Sequence, residues 1–107
     1  MKLSDFLEIA NKYNIEYVFN AADTEVCYLM PGSNWYIAKY YTDLTIMSLA
    51  ITFHYDDRAK CVIPDQWSNF GNYISPTDFE KKVQDMLVAL KTEENNEELK
   101  KISEDFA

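Results

Sequence analysis

Residues 45–55, with the sequence TIMSLAITFHY, decide the fold that we predict for this chain. Alternate positions in the stretch are apolar, and the positions between them are mostly smaller or more polar. The apolar positions are Met47, Leu49, Ile51, Phe53 and Tyr55. Alternation with a period of two is typical of a strand with one buried face, so we predict a long central strand. A turn at residues 56–59 then predicts that residues 60–63 return as its partner.

Shorter patterns before this strand predict a helix and three further strands. Ser4 can cap the helix, Asp5 suits its first turn and Asn14 is suited to end it. The strands are predicted at residues 15–19, 25–30 and 35–41, with turns at residues 20–23, 31–34 and 42–43. Because short links usually join antiparallel neighbours, residues 15–63 predict a meander of four or five strands.

The C-terminal third begins without periodicity and continues as a helical pattern. Residues 64–74, PDQWSNFGNYI, predict a loop whose rings either tuck under the sheet edge or form a contact surface. Ser75 and Pro76 are a strong helix start. The apolar face that follows predicts packing on the sheet and comprises Phe79, Val83, Met86, Leu87 and Leu90. The pattern breaks at residues 92–96, which predicts a separate acidic helix at residues 95–107, with Leu99, Ile102 and Phe106 on one side.

The predicted order of elements is α-β-β-β-β-(β)-α-α. This order is typical of an α+β domain in which helices cover one face of an antiparallel sheet. A length of 107 residues suits one such domain, so we predict a single domain at residues 1–107.

The net charge of −8 bears on the class of partner. An acidic chain is repelled by nucleic acid and by anionic membranes, and it is attracted to basic protein surfaces. The sequence therefore predicts a protein partner, no direct nucleic-acid binding and no membrane binding. The N-terminal residues lack the apolar core of a signal peptide, and no apolar run reaches the roughly 18 residues of a membrane span, so we predict a cytoplasmic location.

Motifs that carry catalytic or metal chemistry are weak in this sequence. Cys27 and Cys61 are predicted to be reduced thiols, with a disulfide between neighbouring strands as the alternative. One histidine, His54, and two isolated cysteines do not give the spacing of a zinc site or an activated nucleophile. Two glycines do not form a phosphate-binding loop. We therefore predict no enzymatic activity, no cofactor and no metal.

The combination of acidic and aromatic residues is the clearest functional signal. Sixteen aromatic side chains are more than a small core usually hides, and alternation on the third strand separates Trp35 and Tyr41 from Tyr36 and Tyr40. Exposed Tyr and Trp are favoured anchors of protein interfaces. The alternative is that the second sheet face is covered by a loop or by self-association. The predicted partner surface comprises Asp23, Trp35, Tyr36, Tyr40, Asp43, Asp56, Asp57, Asp65, Trp67, Tyr73, Glu93 and Glu94.

The last third of the chain also carries a family resemblance. The runs SPTDFEKKVQDMLVAL, at residues 75–90, and EELKKISEDF, at residues 97–106, resemble the ends of small phage and mobile-element proteins. In its acidity and its content of rings the chain is similar to phage-borne anti-defence proteins, including anti-CRISPR proteins, and to toxin-immunity proteins. The resemblance implies a phage-encoded inhibitor in the host-cell cytoplasm. Such a DNA mimic would bind a basic nuclease effector, such as a Cas protein, and block access of nucleic acid.

Two other functions remain open at this point. A small enzyme or ligand-binding domain would place a pocket between residues 64–74 and the sheet, lined by His54, Tyr55 and Trp67. A structural homodimer would instead bury Trp35, Tyr36 and Tyr40 between two copies.

Overall fold

The computed structural model describes residues 1–44, 46–71 and 73–105, and these form an α+β fold as predicted. The elements are α1 (Leu3–Lys12), β1 (Tyr17–Asn20), β2 (Glu25–Leu29), β3 (Tyr36–Tyr41), β4 (Ile46–Ala50), β5 (Phe53–Asp56), β6 (Cys61–Pro64), β7 (Trp67–Gly71) and α2 (Pro76–Asp105). Five strands form one antiparallel sheet in the order β1-β2-β3-β4-β7, and β5 and β6 form a separate two-stranded sheet. The predicted meander is confirmed for the first four strands.

The prediction of one long central strand is wrong. β4 ends at Ala50, and β5 begins at Phe53 in the second sheet. Between them the chain passes from one sheet to the other. Residues 51–52 stay hydrogen-bonded to residues 65–66 there, since the Ile51 amide donates to the Gln66 carbonyl at 2.8 Å and the Thr52 carbonyl accepts from the Asp65 amide at 2.8 Å. The alternation continues through this crossing because each strand has its own apolar face to bury.

The prediction of a loop at residues 64–74 is also wrong in part. β7 occupies the middle of that segment and pairs antiparallel with β4 at the edge of the large sheet. In its sequence, WSNFG, both faces are mixed, so no apolar period marks it. Backbone pairing with β4, and not an amphipathic pattern, gives this strand its position.

The helix ends follow capping chemistry, with one change from the prediction. α1 starts one residue before Ser4, and the Asp5 carboxylate accepts from the Lys2 amide at 3.0 Å, so Ser4 is not the cap. Asn14 ends the helix with a positive φ of 56°. At α2 the predicted cap is confirmed, since the Asp78 amide donates to Ser75 Oγ at 3.1 Å.

The predicted break in the C-terminal helix is wrong. α2 is continuous over 30 residues, so residues 92–96 lie inside it and no separate helix begins at residue 95. The segment TEENN contains neither Gly nor Pro, and the modest helix propensity of Thr and Asn is not enough to end a helix. Phe106, expected on the last helix, lies outside the described residues.

The core lies between one face of the large sheet and the two helices. The Phe6 ring of α1 stacks on the Tyr28 ring at a centroid distance of 4.1 Å and lies 5.7 Å from the Phe79 ring of α2. The Tyr28 hydroxyl donates to the Phe6 carbonyl, which joins α1 to the sheet. Beyond the sheet, α2 packs against the β5–β6 hairpin, where Phe53 and Val62 are buried. This extension gives the molecule dimensions of 52 × 28 × 22 Å.

Candidate interaction surface

The face of the large sheet that points away from both helices is the candidate site, and we call it the open face. Strand register assigns its residues, because Asn20 pairs with Glu25 and Cys27 with Lys39 on the side opposite Tyr28. The core cluster contains side chains of the other face and of both helices. One face is therefore covered by helices, as predicted.

A polar network lies on the part of the open face formed by β1, β2 and β3. Glu25 Oε1 lies 3.8 Å from Lys39 Nζ and accepts from Cys27 Sγ at 3.1 Å. Asn20 Nδ2 donates to the Tyr36 hydroxyl at 2.9 Å. The Lys39 ammonium also lies 5.6 Å from the centre of the Tyr36 ring. These contacts fix the side chains, so this part of the surface is ordered before any partner binds.

Cys27 is an unreactive thiol within this network. Its side chain is buried, and burial together with the hydrogen bond to the Glu25 carboxylate raises its pKa to about 12. The thiolate, which is the nucleophilic form, is therefore scarce at neutral pH. Cys61 lies in the second sheet, and both cysteines are free, as predicted.

Aromatic side chains reach the open face differently from the prediction. The pairing of β2 with β3 shifts at Tyr28 and Leu29, so Leu29 pairs with Tyr36 while Tyr28 pairs with Ala38. This bulge moves the Tyr36 hydroxyl to the open face, where it accepts from Asn20. Tyr40 instead points into the core and is 8% exposed, so its predicted exposure is wrong.

The predicted acidic and aromatic residues fall into separate groups, and the first lies at one end of the large sheet. Asp23 is in the β1–β2 turn and Asp43 in the β3–β4 turn, and both are exposed. The two turns touch, because the Thr42 amide donates to the Thr24 carbonyl at 3.0 Å. Exposed Tyr73 follows β7 at the same end. We call these three residues, Asp23, Asp43 and Tyr73, the turn end.

The second group lies at the opposite end of the sheet and contains both tryptophans. Trp35 is 44% exposed just before β3, and Trp67 is 39% exposed at the start of β7. Asp65 is exposed two residues before Trp67, and its carboxylate lies 3.5 Å from His54 Nδ1. We call Trp35, Tyr36, Asp65 and Trp67 the tryptophan end.

The third group lies on the hairpin and on α2, away from the open face. Asp57 is exposed in the β5–β6 turn, whereas Asp56 accepts from the Ala59 amide at 3.2 Å and so stabilises that turn. Glu93 is half-buried and Glu94 is exposed on α2. The residues predicted to form one partner surface therefore lie on three separate surfaces. Glu25, Lys39 and Tyr41 on the open face were missed, although alternation in YIAKYY already puts Lys39 and Tyr41 on one side.

A hollow beside β7, in the segment where an enzyme pocket was predicted, is not lined by the residues proposed for that pocket. The hollow beside β7 has a volume of about 170 Å³. Its lining residues are Leu49, Ala50, Ile51, Ser68, Phe70, Lys82, Asp85 and Met86. Neither His54, Tyr55 nor Trp67 contributes to it.

Each described group with a shifted pKa keeps, at neutral pH, the protonation state that the free side chain has at that pH. The Glu80 carboxylate raises the pKa of Lys12, and Lys12 and the Tyr13 hydroxyl lower that of Glu80. Burial raises the pKa of Tyr28. A general acid or base needs a pKa near the working pH, and these shifts move in the other direction.

Two further findings concern metals and membranes. Among the residues that the structure describes, no group of three or more His, Cys, Asp or Glu side chains is arranged to hold a metal ion. Within the same part of the chain, neither helix has the length and apolar character needed to cross a membrane. Comparison with protein-family models, with curated proteins and with solved structures finds no match for this chain.

Proposed function

We propose that this protein is a non-enzymatic inhibitor that binds a basic protein through the open face and its two ends. The narrower form of the proposal follows the resemblance to phage anti-defence proteins. The chain is then a phage-encoded DNA mimic that acts in the host cytoplasm and covers the nucleic-acid channel of a nuclease effector, such as a Cas protein.

The observation that carries the proposal is the open face of the large sheet, with an exposed tryptophan at one end and carboxylates at both. Trp67 exposes large apolar area two residues from Asp65, and Asp23 and Asp43 lie at the turn end. A tryptophan side chain stabilises a complex when the partner excludes water from it. Carboxylates pair with Lys and Arg side chains that would otherwise bind phosphates. The two residue types therefore suit the same kind of basic partner.

The negative charge and the aromatic side chains affect different steps of the proposed binding. The net charge of −8 attracts a basic channel over a distance of about a Debye length, which raises the association rate at low salt. The rings act after contact and slow dissociation, with little dependence on salt.

The experiment measures binding to a purified Cas nuclease at low and at high salt by biolayer interferometry. Trp67→Ala is expected to weaken binding by about 2 kcal/mol, roughly 30-fold, at both salt concentrations. The double variant Asp23→Asn, Asp43→Asn is expected to slow association several-fold at low salt and to have less effect at high salt.

The matched control is Phe19→Ala, because Phe19 is exposed on β1 but lies on the covered-face side of that strand. Its affinity is expected to equal that of the unaltered protein. An interaction that does not respond to salt, or the absence of binding to basic nucleases, contradicts the proposal. Light scattering tests the homodimer alternative, since a dimer that Trp67→Ala dissociates would assign the open face to self-association.

A further inference from the structure

β7 is an edge strand of the large sheet, and it pairs on one side only, with β4. The Ile51 amide donates to the Gln66 carbonyl at 2.8 Å just before the strand. Because hydrogen bonds alternate along an antiparallel pair, the backbone of Ser68 faces β4, and the backbones of Trp67 and Asn69 face outward. Among the residues that the structure describes, none hydrogen-bonds to these two backbones on the outer side.

The hollow beside β7 lies on the side of the sheet that the helices cover, which we call the covered face. Leu49 and Met86, which belong to the core, line it together with Ser68, which pairs with Leu49. Five of its eight lining residues are apolar. A cavity of about 150 Å³ with an apolar lining can hold benzene, so a volume of about 170 Å³ has room for one branched or aromatic side chain.

The hollow reaches solvent on the β7 side of α2. The opposite side of α2 is occupied by α1, where Gln84 Nε2 donates to the Tyr13 hydroxyl at 2.6 Å. On the β7 side the Lys82 ammonium lies 4.8 Å from the centre of the Phe70 ring, and both residues line the hollow. Asp85, which also lines it, is exposed. The hollow is therefore open on the same side of the molecule as the unpaired edge.

These two features suit one kind of ligand, an extended peptide backbone. Outward N–H and C=O groups that alternate along a strand are matched by another strand. In an antiparallel strand added to β7, two residues exchange hydrogen bonds with Trp67 and Asn69, and the residue between them stands opposite Ser68. Because Ser68 points to the covered face, the side chain opposite it points there too, beside the hollow. One added strand can therefore use the backbone groups and the hollow together.

A second copy of this chain does not suit the site. On the covered face its own β7 carries Ser68, which is too small to fill the hollow, and Phe70, which already packs against its own core. Two copies would also bring two net charges of −8 together, whereas a segment of a basic protein would be attracted. The occupant that fits is an extended segment of another protein.

We propose that the edge of β7 binds an extended segment of the basic partner as a further antiparallel strand of the large sheet. The segment hydrogen-bonds to the backbones of Trp67 and Asn69 and places one branched or aromatic side chain opposite Ser68, in the hollow. This inference rests on the proposed function, because it states how the same partner is held beside the tryptophan end.

The test uses labelled synthetic peptides of about nine residues, with a central Leu, Thr on both sides of it and Lys at both ends. Fluorescence anisotropy is expected to show binding of this Leu peptide. A peptide with Ser in place of the central Leu is expected to bind at least about tenfold more weakly, because it leaves the hollow empty.

N-methylated peptides test the backbone contacts. Methyl groups on the amides of the two residues next to Leu remove the donors that face β7, and we expect affinity to fall at least about tenfold. A methyl group on the Leu amide is the matched control, because that amide faces away from β7, and affinity is expected to stay unchanged.

A pair of proline variants of the protein locates the site. Asn69→Pro removes an outward amide hydrogen and keeps the backbone pairing with β4, so it is expected to weaken the Leu peptide at least about tenfold. Phe19→Pro makes the same change on β1, the other edge strand, where the Phe19 amide faces outward by the same alternation. Its affinity for the peptide is expected to stay unchanged. Circular dichroism checks that both variants are folded.

Four results would overturn the inference. They are no binding of the Leu peptide, equal affinity for the Ser peptide, equal affinity for the two kinds of methylated peptide, and full affinity in folded Asn69→Pro. A dimer in light scattering that Asn69→Pro dissociates would overturn it too, because the occupant is then a second copy.

The peptide test and the nuclease test fail independently. Binding of the Leu peptide without binding of any basic nuclease supports the strand site and contradicts the proposed nuclease inhibition. Nuclease binding that folded Asn69→Pro leaves unchanged contradicts the strand site and leaves the proposed function supported.

Discussion

The two halves of α2 belong to one unbroken helix but are stabilised in different ways. Residues 76–90 bury four apolar side chains against α1 and the large sheet, whereas no described side chain in residues 91–104 is fully buried. The N-terminal half is positioned by its core contacts. The C-terminal half continues because its backbone hydrogen bonds propagate a helix that has already formed, and because Glu and Lys favour helix. Continuity of a helix is therefore no evidence that its whole length has the same role.

The largest expected effect compares one apolar residue from each half. Phe79→Ala removes a fully buried ring that packs on Phe6, and we expect it to lower the free energy of unfolding by about 3–5 kcal/mol. Leu99→Ala, on the exposed side of the other half, is expected to change it by less than about 0.5 kcal/mol. Urea denaturation followed by circular dichroism measures both. A loss of similar size at Leu99 would show that the C-terminal half is packed in solution.

A smaller effect is expected at the start of α2. Ser75→Ala removes the hydroxyl that accepts from the Asp78 amide, and we expect a loss of about 1 kcal/mol in the same denaturation experiment. The matched change Ser103→Ala, at an exposed position in the C-terminal half, is expected to have no measurable effect on unfolding. A loss at Ser103 equal to that at Ser75 would contradict the division of the helix into two halves.

The smallest effect concerns the ion pair between Glu80 of α2 and Lys12 of α1. Because folding lowers the pKa of Glu80 from its ordinary value of 4.5, the stabilisation is present above that pH and is lost as the pH falls below it. Because folding raises the pKa of Lys12 above 10.5, its contribution is lost only when the pH rises beyond that value.

A double-mutant cycle of Glu80→Gln and Lys12→Met should therefore show a small coupling at pH 7 that decreases as the pH falls below 4.5. Both side chains are accessible to solvent, so high salt should weaken the coupling too. A coupling that responds neither to acid nor to high salt would show that the two side chains interact through packing and not through charge.

The sequence predicted the strands whose apolar alternation indicates a buried face and the helix whose first residues indicate a cap. The alternation at Val26, Tyr28 and Met30 and the cap at Ser75 are both present in the structure. It could not predict that residues 46–55 divide between two sheets, because each part has its own apolar face and the alternation shows no interruption at Ile51 and Thr52. It also missed β7, since a strand held by backbone pairing at an edge needs no periodic sequence.

The candidate surface was predicted less well than the fold. From residue type alone, both tryptophans and the carboxylates in the turns were correctly expected to be exposed. The bulge at Tyr28 and Leu29, however, moves Tyr36 to the face opposite Tyr40. A register shift of this kind reverses side-chain directions beyond it and leaves no mark in the sequence. Leu99 and Ile102 were assigned to a separate helix, because Asn95 or Asn96 can cap a helix, whereas α2 is continuous through both.

The pairing of β4 with β7 around an inserted hairpin has a consequence for the order of assembly. Ala50 and Trp67 are neighbours in the sheet, although the chain between them makes an excursion through β5 and β6. Once β5 and β6 have paired, only a short loop remains to be closed between β4 and β7. The entropy lost in bringing β7 to the edge of the large sheet is then reduced. We therefore expect the β5–β6 hairpin to form before β7 pairs with β4 and completes the large sheet.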